Sequence, residues 1–391
     1  MRYFVTLFSL FLCGLLLAGC ASRPVPADLP ALPETTESTA PVVPEPTAPK
    51  TAAPETQPPD PVRQMISDMS LEERVGQLFL ARCNADTAVS DVQTYHLGGL
   101  VLFGADFENQ TPDSLRQNIA AYQAAAKKPL LIAVDEEGGI VTRVSRYPAF
   151  RESAFASLRD LYAQGGLEQV LNQEEEKCSL LSNLGINVNL GPVCDITTDP
   201  DAFMYPRSLG QDPKTAGEVT ASMVIVMNAY RIGSALKHFP GYGNNADTHT
   251  GIAVDSRPLS DFENQDFIPF SAGIQAGCDS IMVGHILMEA LDPELPASLS
   301  PAVHRYLREN LSFSGVIVTD DLVMQAITDQ YGAGEAAVMA VLAGNDLLCS
   351  TEYAVQYPAV LQAVLDGRID MDVLNSAVRH VLEWKISLGL L

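Results

Sequence analysis

The stretch SALKHFPG, residues 234–241, combines a short apolar run, a Lys-His pair and an abrupt Pro-Gly turn. Residues 234–236 suit a strand that is buried on both faces. Pro240 and Gly241 interrupt any regular element, so Lys237 and His238 are expected where the strand ends. Such a strand end, with an ammonium group beside an imidazole, could bind polar groups.

Similar apolar runs recur along the chain, with helix-like segments between them. Ser70 and Glu73 form a capping box that predicts the start of a helix. About eight strand–helix repeats are typical of a (β/α)8 barrel, although a doubly wound open sheet would show the same periodicity. The candidate strands are 78–81, 99–103, 130–134, 186–190, 234–236, 280–283, 315–318 and 346–349, and the candidate helices include 112–127, 165–184, 213–230 and 301–310.

Polar side chains follow several of these candidate strands. In a barrel, the carboxyl ends of all strands meet on one face, where active sites lie, whereas an open sheet would scatter these positions. Their distribution therefore favours an α/β (β/α)8 barrel. The residues concerned are Asp135, Asp195, Lys237, His238, His285 and Asp320.

Two segments carry groups suited to glycosyl chemistry. Asp320, at a strand end, could attack an anomeric carbon, but an Asp in this position is also a common helix N-cap. Asp247 and His249 lie in a loop after a Gly/Asn-rich stretch, with a spacing that places both on one side of an extended chain. A carboxylate beside an imidazole suits a general acid/base, and an exposed loop histidine is the alternative.

Other charged residues near the strand ends suit sugar binding. Arg143 and Arg207 each follow a turn, although surface ion pairs are the commoner fate of arginine. The run DEEGG, residues 135–139, could suggest a metal site, because hard cations take carboxylate clusters. Arg143 would oppose a cation there, so recognition of a sugar by Asp135 is the preferred interpretation.

Taken together, the motifs resemble glycoside hydrolase family 3, in its β-N-acetylglucosaminidase branch. KHFPGYG at 237–243, followed by DTH at 247–249, looks like the hallmark of that branch. SLEERVGQLF (70–79), DEEGG (135–139), PRSLG (206–210) and VTDDLVM (318–324) resemble further family motifs. The chain departs from the family pattern at four peripheral positions: Glu136 replaces Gln, Leu209 replaces Phe, Tyr242 replaces His, and Thr248 replaces Ser.

The resemblance implies a single catalytic barrel that removes terminal β-linked N-acetylglucosamine with retention and needs no metal or organic cofactor. It assigns Asp320 as nucleophile and His249, with Asp247, as acid/base. The segment 377–385 resembles the last barrel helix, so the acid is expected from the barrel itself and not from a second domain. A β-glycoside phosphorylase and a non-catalytic sugar-binding lipoprotein are the alternatives. The sugar-binding positions implied are Asp135, Arg143, Arg207, Lys237 and His238.

The N-terminal part predicts export and anchoring. Residues 1–20 read as a signal peptide that ends in LAGC, which resembles a bacterial lipobox with Cys20 as the lipidated residue, although an ordinary signal cleaved near Ala21 would look similar. Residues 21–60 hold 11 of the 26 prolines and no aromatic residue, so they are expected to form a disordered tether before the barrel at 61–391. An extracytoplasmic, lipid-anchored protein would have peptidoglycan fragments within reach, with chitin-type oligosaccharides as the second substrate class.

Composition excludes some classes of protein. A net charge of −24 argues against nucleic-acid binding, which needs a basic surface. Beyond Cys13 and Cys20, the five remaining cysteines are widely spaced and form no CxxC pair, so buried free thiols are expected. We expect a monomer whose partners are a carbohydrate substrate and, through its lipid, a membrane.

Overall fold

The computed structural model describes residues 60–245, 247–248 and 251–391. The predicted signal peptide, the lipidation site Cys20 and all but the last residue of the tether lie outside these ranges, as does His249. Within the described part, no helix is long and apolar enough to cross a membrane.

The helices and strands alternate as the sequence predicts. In chain order they are α1 Pro61–Ser67, α2 Leu71–Gln77, β1 Phe79–Arg82, α3 Ala88–Tyr95, β2 Gly99–Leu102, α4 Gly104–Phe107, α5 Pro112–Ala125, β3 Leu131–Val134, α6 Leu158–Leu184, β4 Val188–Asn189, α7 Pro213–Ala229, β5 Gly233–Phe239, β6 Val254–Asp255, α8 Leu259–Asn264, α9 Phe267–Gln275, β7 Ser280–Val283, β8 Leu287–Met288, α10 Pro301–Glu309, β9 Val316–Thr319, α11 Gln325–Thr328, α12 Ala333–Ala343, β10 Leu348–Ser350, α13 Tyr353–Leu365 and α14 Met371–Ser387.

Eight of these strands form one parallel sheet, in the order β10-β1-β2-β3-β4-β5-β7-β9. A parallel bridge between Val318 and Leu347 joins the two ends of this order, so the sheet is a nearly closed barrel. The (β/α)8 prediction is therefore confirmed, and the open-sheet alternative is wrong. The remaining two strands, β6 and β8, pair with each other beside the barrel and were not predicted.

Alternation of side chains explains why the barrel strands read as continuous apolar runs. Leu80, Val101 and Ala235 belong to the cluster inside the barrel. Their strand neighbours Ala81 and Leu236 face outward and pack beneath the surrounding helices. Both faces of each strand are buried, so a polar residue is tolerated only at the strand ends.

Helix α14 closes the amino-terminal end of the barrel. Val381 and Trp384 from this helix, and Leu388 directly after it, belong to the cluster inside the barrel. A Cβ atom at Gly233, where β5 begins, would lie 2.9 Å from the indole of Trp384. Glycine is therefore required at position 233, because the indole of Trp384 occupies the space that a side chain would need. The opposite end of β5 carries Lys237 and His238.

Local signals place the helix starts. The capping box at α2 is confirmed: Glu73 N–H donates to Ser70 Oγ at 3.2 Å, and Ser70 N–H donates to Glu73 Oε2 at 3.0 Å. Proline occupies the first turn of α5, α7 and α10, where its missing N–H is not needed. Helix α6 is broken at Gly165 and Gly166, which have non-helical backbone angles. The predicted helix 165–184 corresponds to the segment after this break, and the turns from Leu158 up to the break were not predicted.

The cysteine prediction is confirmed. Cys83, Cys178, Cys194, Cys278 and Cys349 are all free and buried. Burial raises the pKa of each of these thiols, so they are held as neutral, small apolar side chains.

Candidate active site

A cavity of about 720 Å³ opens at the carboxyl ends of the barrel strands, a size typical of sites for small ligands. It gathers most of the described residues that the sequence singles out, whereas Asp195 and His285 are not among its lining residues. Each of the gathered residues lies at the end of a buried strand or in the loop that follows one. The barrel therefore supplies a rigid frame for side chains that are far apart in the chain. The predicted residues that line the cavity are Asp135, Arg143, Arg207, Lys237, His238, Asp247 and Asp320.

Lys237 lines the cavity and is buried, with only 2% of its surface exposed. Its Nζ lies 2.6 Å from Asp135 Oδ1 and 2.7 Å from Glu137 Oε1. Burial lowers the pKa of Lys237, but the two carboxylates more than offset this effect and raise its pKa above the ordinary value. The ammonium group therefore stays charged and holds two strand ends together.

Arg207 forms the second half of this ionic network. Its Nε and Nη2 donate to the two carboxylate oxygens of Glu137 at 3.0 and 2.7 Å, a bidentate pair with fixed geometry. Burial would raise the pKa of Glu137, but Lys237 and Arg207 hold it well below its usual range. The acidic run at 135–137 is thus explained in part by cation pairing, and Glu137 is a site residue to which the sequence assigned no role.

The ring of His238 is held from both sides. Its Nδ1 lies 2.7 Å from Asp195 Oδ2, and its Nε2 lies 3.1 Å from Arg207 Nη2. Since a guanidinium group can only donate, Nε2 accepts and Nδ1 carries the hydrogen that is donated to Asp195. Asp195 also accepts the backbone N–H groups of His238 and Tyr242 at 3.1 and 2.7 Å. Asp195 is therefore buried and orients the ring of His238. The sequence indicated Asp195 only through its position after β4.

Glu136 organises the loop that carries Arg143. Its carboxylate accepts the backbone N–H groups of Arg143 and Val144, each at 2.7 Å, and the hydroxyl group of Ser145. The side chain is fully buried and contacts this loop, so it has a different task from its acidic neighbours. The sequence alone gave no signal that separated the three.

Asp320 follows β9 and faces the cavity. Its backbone N–H donates to Val283 O at 3.0 Å, which fixes it to β7. Burial would raise the pKa of this carboxyl group, but His285, His238, the Asp321 N–H and Lys237 together hold the pKa below its ordinary value. Asp320 is therefore a desolvated carboxylate that remains ionised, as a nucleophile must be.

Asp321 has a different role from its neighbour. Its carboxylate accepts the N–H of Val323 at 3.2 Å and both the N–H and the hydroxyl group of Thr351. Burial raises the pKa of Asp321. The second acid of the pair also lines the cavity, but its carboxylate fastens the loop after β9 to the end of β10.

The loop that carries Asp247 is tied down at several points. The hydroxyl groups of Tyr242 and Thr248 share a hydrogen bond, and Asn245 Nδ2 donates to Asp255 Oδ2 at 2.6 Å. Tyr242 is buried, with its ring edge-on to the ring of His238. Tyr242 and Thr248, two of the positions at which the chain departs from the family pattern, are therefore hydrogen-bonded to each other. Asp247, half-buried, lines the cavity, whereas His249 lies outside the described residues.

Behind this loop, Arg257 joins two buried carboxylates. It contacts Asp255 and Asp266, each at 2.8 Å, and Gly241 turns directly against Asp266. A Cβ at Gly241 would lie 2.6 Å from Asp266 Oδ1, and the backbone there has a φ of +111°. Glycine is thus required where the chain leaves β5 and enters the loop. The sequence did not predict this network.

Comparisons with known proteins agree with this geometry. Residues 70–384 match the glycosyl hydrolase family 3 N-terminal domain. The β-hexosaminidase LpqI of Mycobacterium tuberculosis is 31% identical over 81% of this chain and 83% of its own, and a β-hexosaminidase of Xanthomonas campestris is 34% identical over 74% and 87%.

Solved structures give the same family. A family 3 β-N-acetylglucosaminidase from Paenibacillus sp. superposes with a TM-score of 0.77 at 32% identity, over 82% of this chain but only 63% of that longer chain. The structure of M. tuberculosis LpqI superposes with a TM-score of 0.75 at 29% identity, over 83% of this chain and 96% of that one. The resemblance seen in the sequence motifs is confirmed: the chain belongs to glycoside hydrolase family 3 and is a glycoside hydrolase.

Proposed function

We propose that this protein is a retaining exo-β-N-acetylglucosaminidase that acts through a covalent glycosyl–Asp320 intermediate. The observation that carries the proposal is the ionised, desolvated Asp320 in the same cavity as a fixed set of polar and charged side chains. The similar β-hexosaminidases support the choice of the N-acetylglucosamine residue as substrate.

In the first step, the Asp320 carboxylate attacks the anomeric carbon while the glycosidic C–O bond breaks and His249 donates a proton to the leaving oxygen. In the second step, neutral His249 takes a proton from a water molecule while the water oxygen attacks the anomeric carbon, and the bond between that carbon and the Asp320 carboxylate breaks to release the sugar. Asp247 stabilises the protonated imidazole. Asp135, Arg143, Arg207, Lys237 and His238 hold the hydroxyl groups of the terminal sugar.

We further propose peptidoglycan fragments as the natural substrate. The support is the lipobox-like LAGC ending at Cys20 and the proline-rich tether, which together would keep the barrel at an extracytoplasmic membrane surface. Metabolic labelling with a palmitate analogue tests the anchor: wild type should incorporate label and Cys20→Ser should not. Equal labelling of both proteins would refute it.

The first experiment compares p-nitrophenyl β-glycosides of N-acetylglucosamine and glucose. Wild type should hydrolyse the N-acetylglucosaminide with preference, and Asp320→Ala should lose about 10³-fold or more of kcat, because the nucleophile is removed. The matched control is Asp321→Asn, which alters the adjacent acid that contacts Thr351, and it should lose far less. Preference for the glucoside would refute the substrate class, and a near-normal rate in Asp320→Ala would refute the nucleophile.

A second experiment tests the acid/base. A p-nitrophenol leaving group needs little protonation, whereas a sugar leaving group needs much. His249→Ala should therefore lose far more activity on a β-linked disaccharide than on the p-nitrophenyl substrate. Added azide should restore turnover of the aryl substrate and yield a β-glycosyl azide. Equal losses on both substrates, without rescue, would remove His249 from this role.

The phosphorylase alternative is tested in the same assays. Since neutral His249 would not repel an incoming phosphate dianion, products are analysed with and without inorganic phosphate. Free N-acetylglucosamine in both conditions supports hydrolysis. Accumulation of the sugar 1-phosphate as the main product would replace hydrolysis with phosphorolysis.

A further inference from the structure

His285 is a strand-end histidine to which the proposed mechanism assigns no role. It follows β7 in the chain as Asp320 follows β9, and these two strands are neighbours in the barrel. The side chain of His285 is fully buried and is not among the residues that line the cavity. Any effect of His285 on the reaction therefore passes through other residues and not through contact with the sugar.

Both ring nitrogens of His285 have defined partners. Nε2 lies 3.0 Å from the backbone oxygen of Asp321. Because a carbonyl oxygen can only accept, Nε2 carries a hydrogen and donates it to Asp321. Nδ1 lies 2.7 Å from Ser298 Oγ. The two contacts satisfy the buried imidazole and set the orientation of its ring.

Ser298 is a rigid support for this ring. The residue is fully buried, and its backbone N–H donates to Gly284 O at 3.1 Å. Its backbone oxygen accepts a hydrogen bond from Asn345 Nδ2 at 2.8 Å, and the same Nδ2 also donates to Ala340 O at 2.7 Å. Ser298 is therefore fastened both to the segment after β7 and, through Asn345, to helix α12.

The backbone of Asp321 connects His285 to the nucleophile. The carbonyl oxygen of Asp321 accepts the Met324 N–H at 3.0 Å as well as the Nε2–H of His285, so both of its lone pairs are used. The N–H of Asp321 donates to Asp320 Oδ1 at 2.9 Å. A carbonyl group that is held in place thus keeps the N–H of the same residue against the Asp320 carboxylate, and fixes the direction from which that carboxylate can attack.

The electrostatics of Asp320 also involve His285. Burial raises the pKa of Asp320, and His285 is the largest of the influences that lower it again. His285 therefore combines this electrostatic effect with its contact to the Asp321 backbone. The titratable groups that interact with Asp320 are His285, His238, Lys237, Tyr242, Asp321 and Cys349.

We propose that His285, held by Ser298, is a positioning residue that orients the Asp320 nucleophile through the backbone of Asp321. In this role the imidazole is a fixed hydrogen-bond donor and exchanges no proton with the substrate. The inference rests on the proposed function, because it requires Asp320 to be the attacking carboxylate. It adds that the reactivity of this carboxylate depends on residues outside the cavity.

The test compares three variants on the p-nitrophenyl β-glycoside of N-acetylglucosamine. His285→Leu removes the two ring hydrogen bonds, whereas His285→Gln supplies an amide N–H that can reach the Asp321 oxygen. Ser298→Ala keeps the imidazole and removes only the hydroxyl group that fixes it. For each variant, kcat/KM is measured from about pH 4 to pH 9, because its acid limb reports the ionisation of the free enzyme. Inhibition by free N-acetylglucosamine measures sugar binding.

His285→Leu should lower kcat/KM by about 10²-fold, because the nucleophile loses its fixed orientation. Its acid limb should move to higher pH by about half a unit or more, since the Asp320 carboxylate ionises less readily without this neighbour. His285→Gln should recover about tenfold of the lost kcat/KM, and Ser298→Ala should show both changes at a smaller size. The inhibition constant should stay within about twofold of wild type, because His285 does not line the cavity.

His304→Leu is the matched control. His304 is also a buried histidine whose Nδ1 lies 2.8 Å from a backbone oxygen, but that oxygen belongs to Ser300, at the start of α10. Urea unfolding is measured for every variant. The control should lose stability, as any variant that removes a buried hydrogen-bonded ring does, and should keep the acid limb of wild type.

An acid limb of His285→Leu that coincides with that of His304→Leu would overturn the inference, because His285 would then support the fold alone. If His285→Leu does not fold, Ser298→Ala decides: wild-type kcat/KM and an unmoved acid limb in that variant would overturn the inference. A near-normal rate in Asp320→Ala would instead refute the proposed function, so the two failures are distinguishable.

Discussion

Lys237 carries its charge in a place that water hardly reaches. Its removal would leave Asp135 and Glu137 as partly buried carboxylates without their shared cation. Lys237→Met should therefore lower the free energy of unfolding by about 3–5 kcal/mol, in addition to its effect on sugar binding. Urea unfolding checks this value. Lys214→Met is the control, because its pair with Glu218 at 3.8 Å is exposed, and it should change stability little.

Glu137 makes the free energy of unfolding depend on pH. The folded protein holds its pKa below the ordinary value of 4.5, so its contribution is present above about pH 4.5 and is lost as pH falls below that value. Glu137→Gln should be less stable than wild type at neutral pH, and its stability should fall less steeply on acidification. Unfolding measured from neutral pH to about pH 3 gives both slopes. Parallel slopes would contradict the assignment.

Glu335→Gln serves as the control for this pH experiment. Glu335 also has a lowered pKa through its pair with Arg368, but both side chains are about half exposed. Solvent screens such a pair, so the variant should follow the wild-type pH profile closely.

At the scale of the element, the loop after β5 depends on Arg257. Burial raises the pKa of Asp266 to about 6 even with Arg257 beside it. Arg257→Met should leave Asp255 and Asp266 unpaired and should lower stability by about 2 kcal/mol or more. Because Asn245 connects Asp255 to the loop of Asp247, kcat on the aryl substrate should also fall, by about tenfold.

Arg368→Met is the matched arginine variant, since Arg368 pairs with Glu335 at the surface. It should retain both the stability and the kcat of wild type. If Arg257→Met lost stability but kept full kcat, the network would support the fold without positioning the loop.

Helices and strands were predictable from the sequence where their formation depends on residues that are close in the chain. The run at residues 280–283 matches β7 because both faces of that strand are buried, and the capping box at Ser70 marks α2 because its hydrogen bonds are local. The predicted start of α6 at Gly165 falls on the break at Gly165 and Gly166, and the helical turns before that break were not predicted. The β6–β8 pair has only two residues per strand, which is too short to leave a periodic pattern.

The site residues likewise divide into those that local sequence predicts and those that depend on contacts between distant residues. Asp135 and Asp320 were predictable from their positions at strand ends, because barrel topology collects such positions on one face. The separate tasks of Glu136 and Glu137 depend on which backbone groups or cations fold against each carboxylate, 7 to 100 residues away. No local sequence pattern contains that information.

At the scale of the whole molecule, the two ends of the barrel differ in function. The site occupies the carboxyl end, and the indole of Trp384, the chain's single tryptophan, fills the other. Gly233→Ala forces a methyl group against that indole and should lower the free energy of unfolding by about 1–3 kcal/mol. Tryptophan fluorescence during unfolding checks it. In the control Gly332→Ala, the new Cβ meets no atom within 4 Å, so the transition should stay close to wild type.

The five buried thiols have a consequence for how this protein can be made. The cysteines in the described part of the chain are all free, so its folding does not wait for an oxidant or a disulfide isomerase. The barrel should therefore reach the same native state in a reducing cytoplasm as in an oxidising compartment. Thermal melts with and without dithiothreitol should coincide, and a lower melting temperature under reduction would contradict this independence. The described part of the chain can then be produced on either side of a membrane without a change of fold.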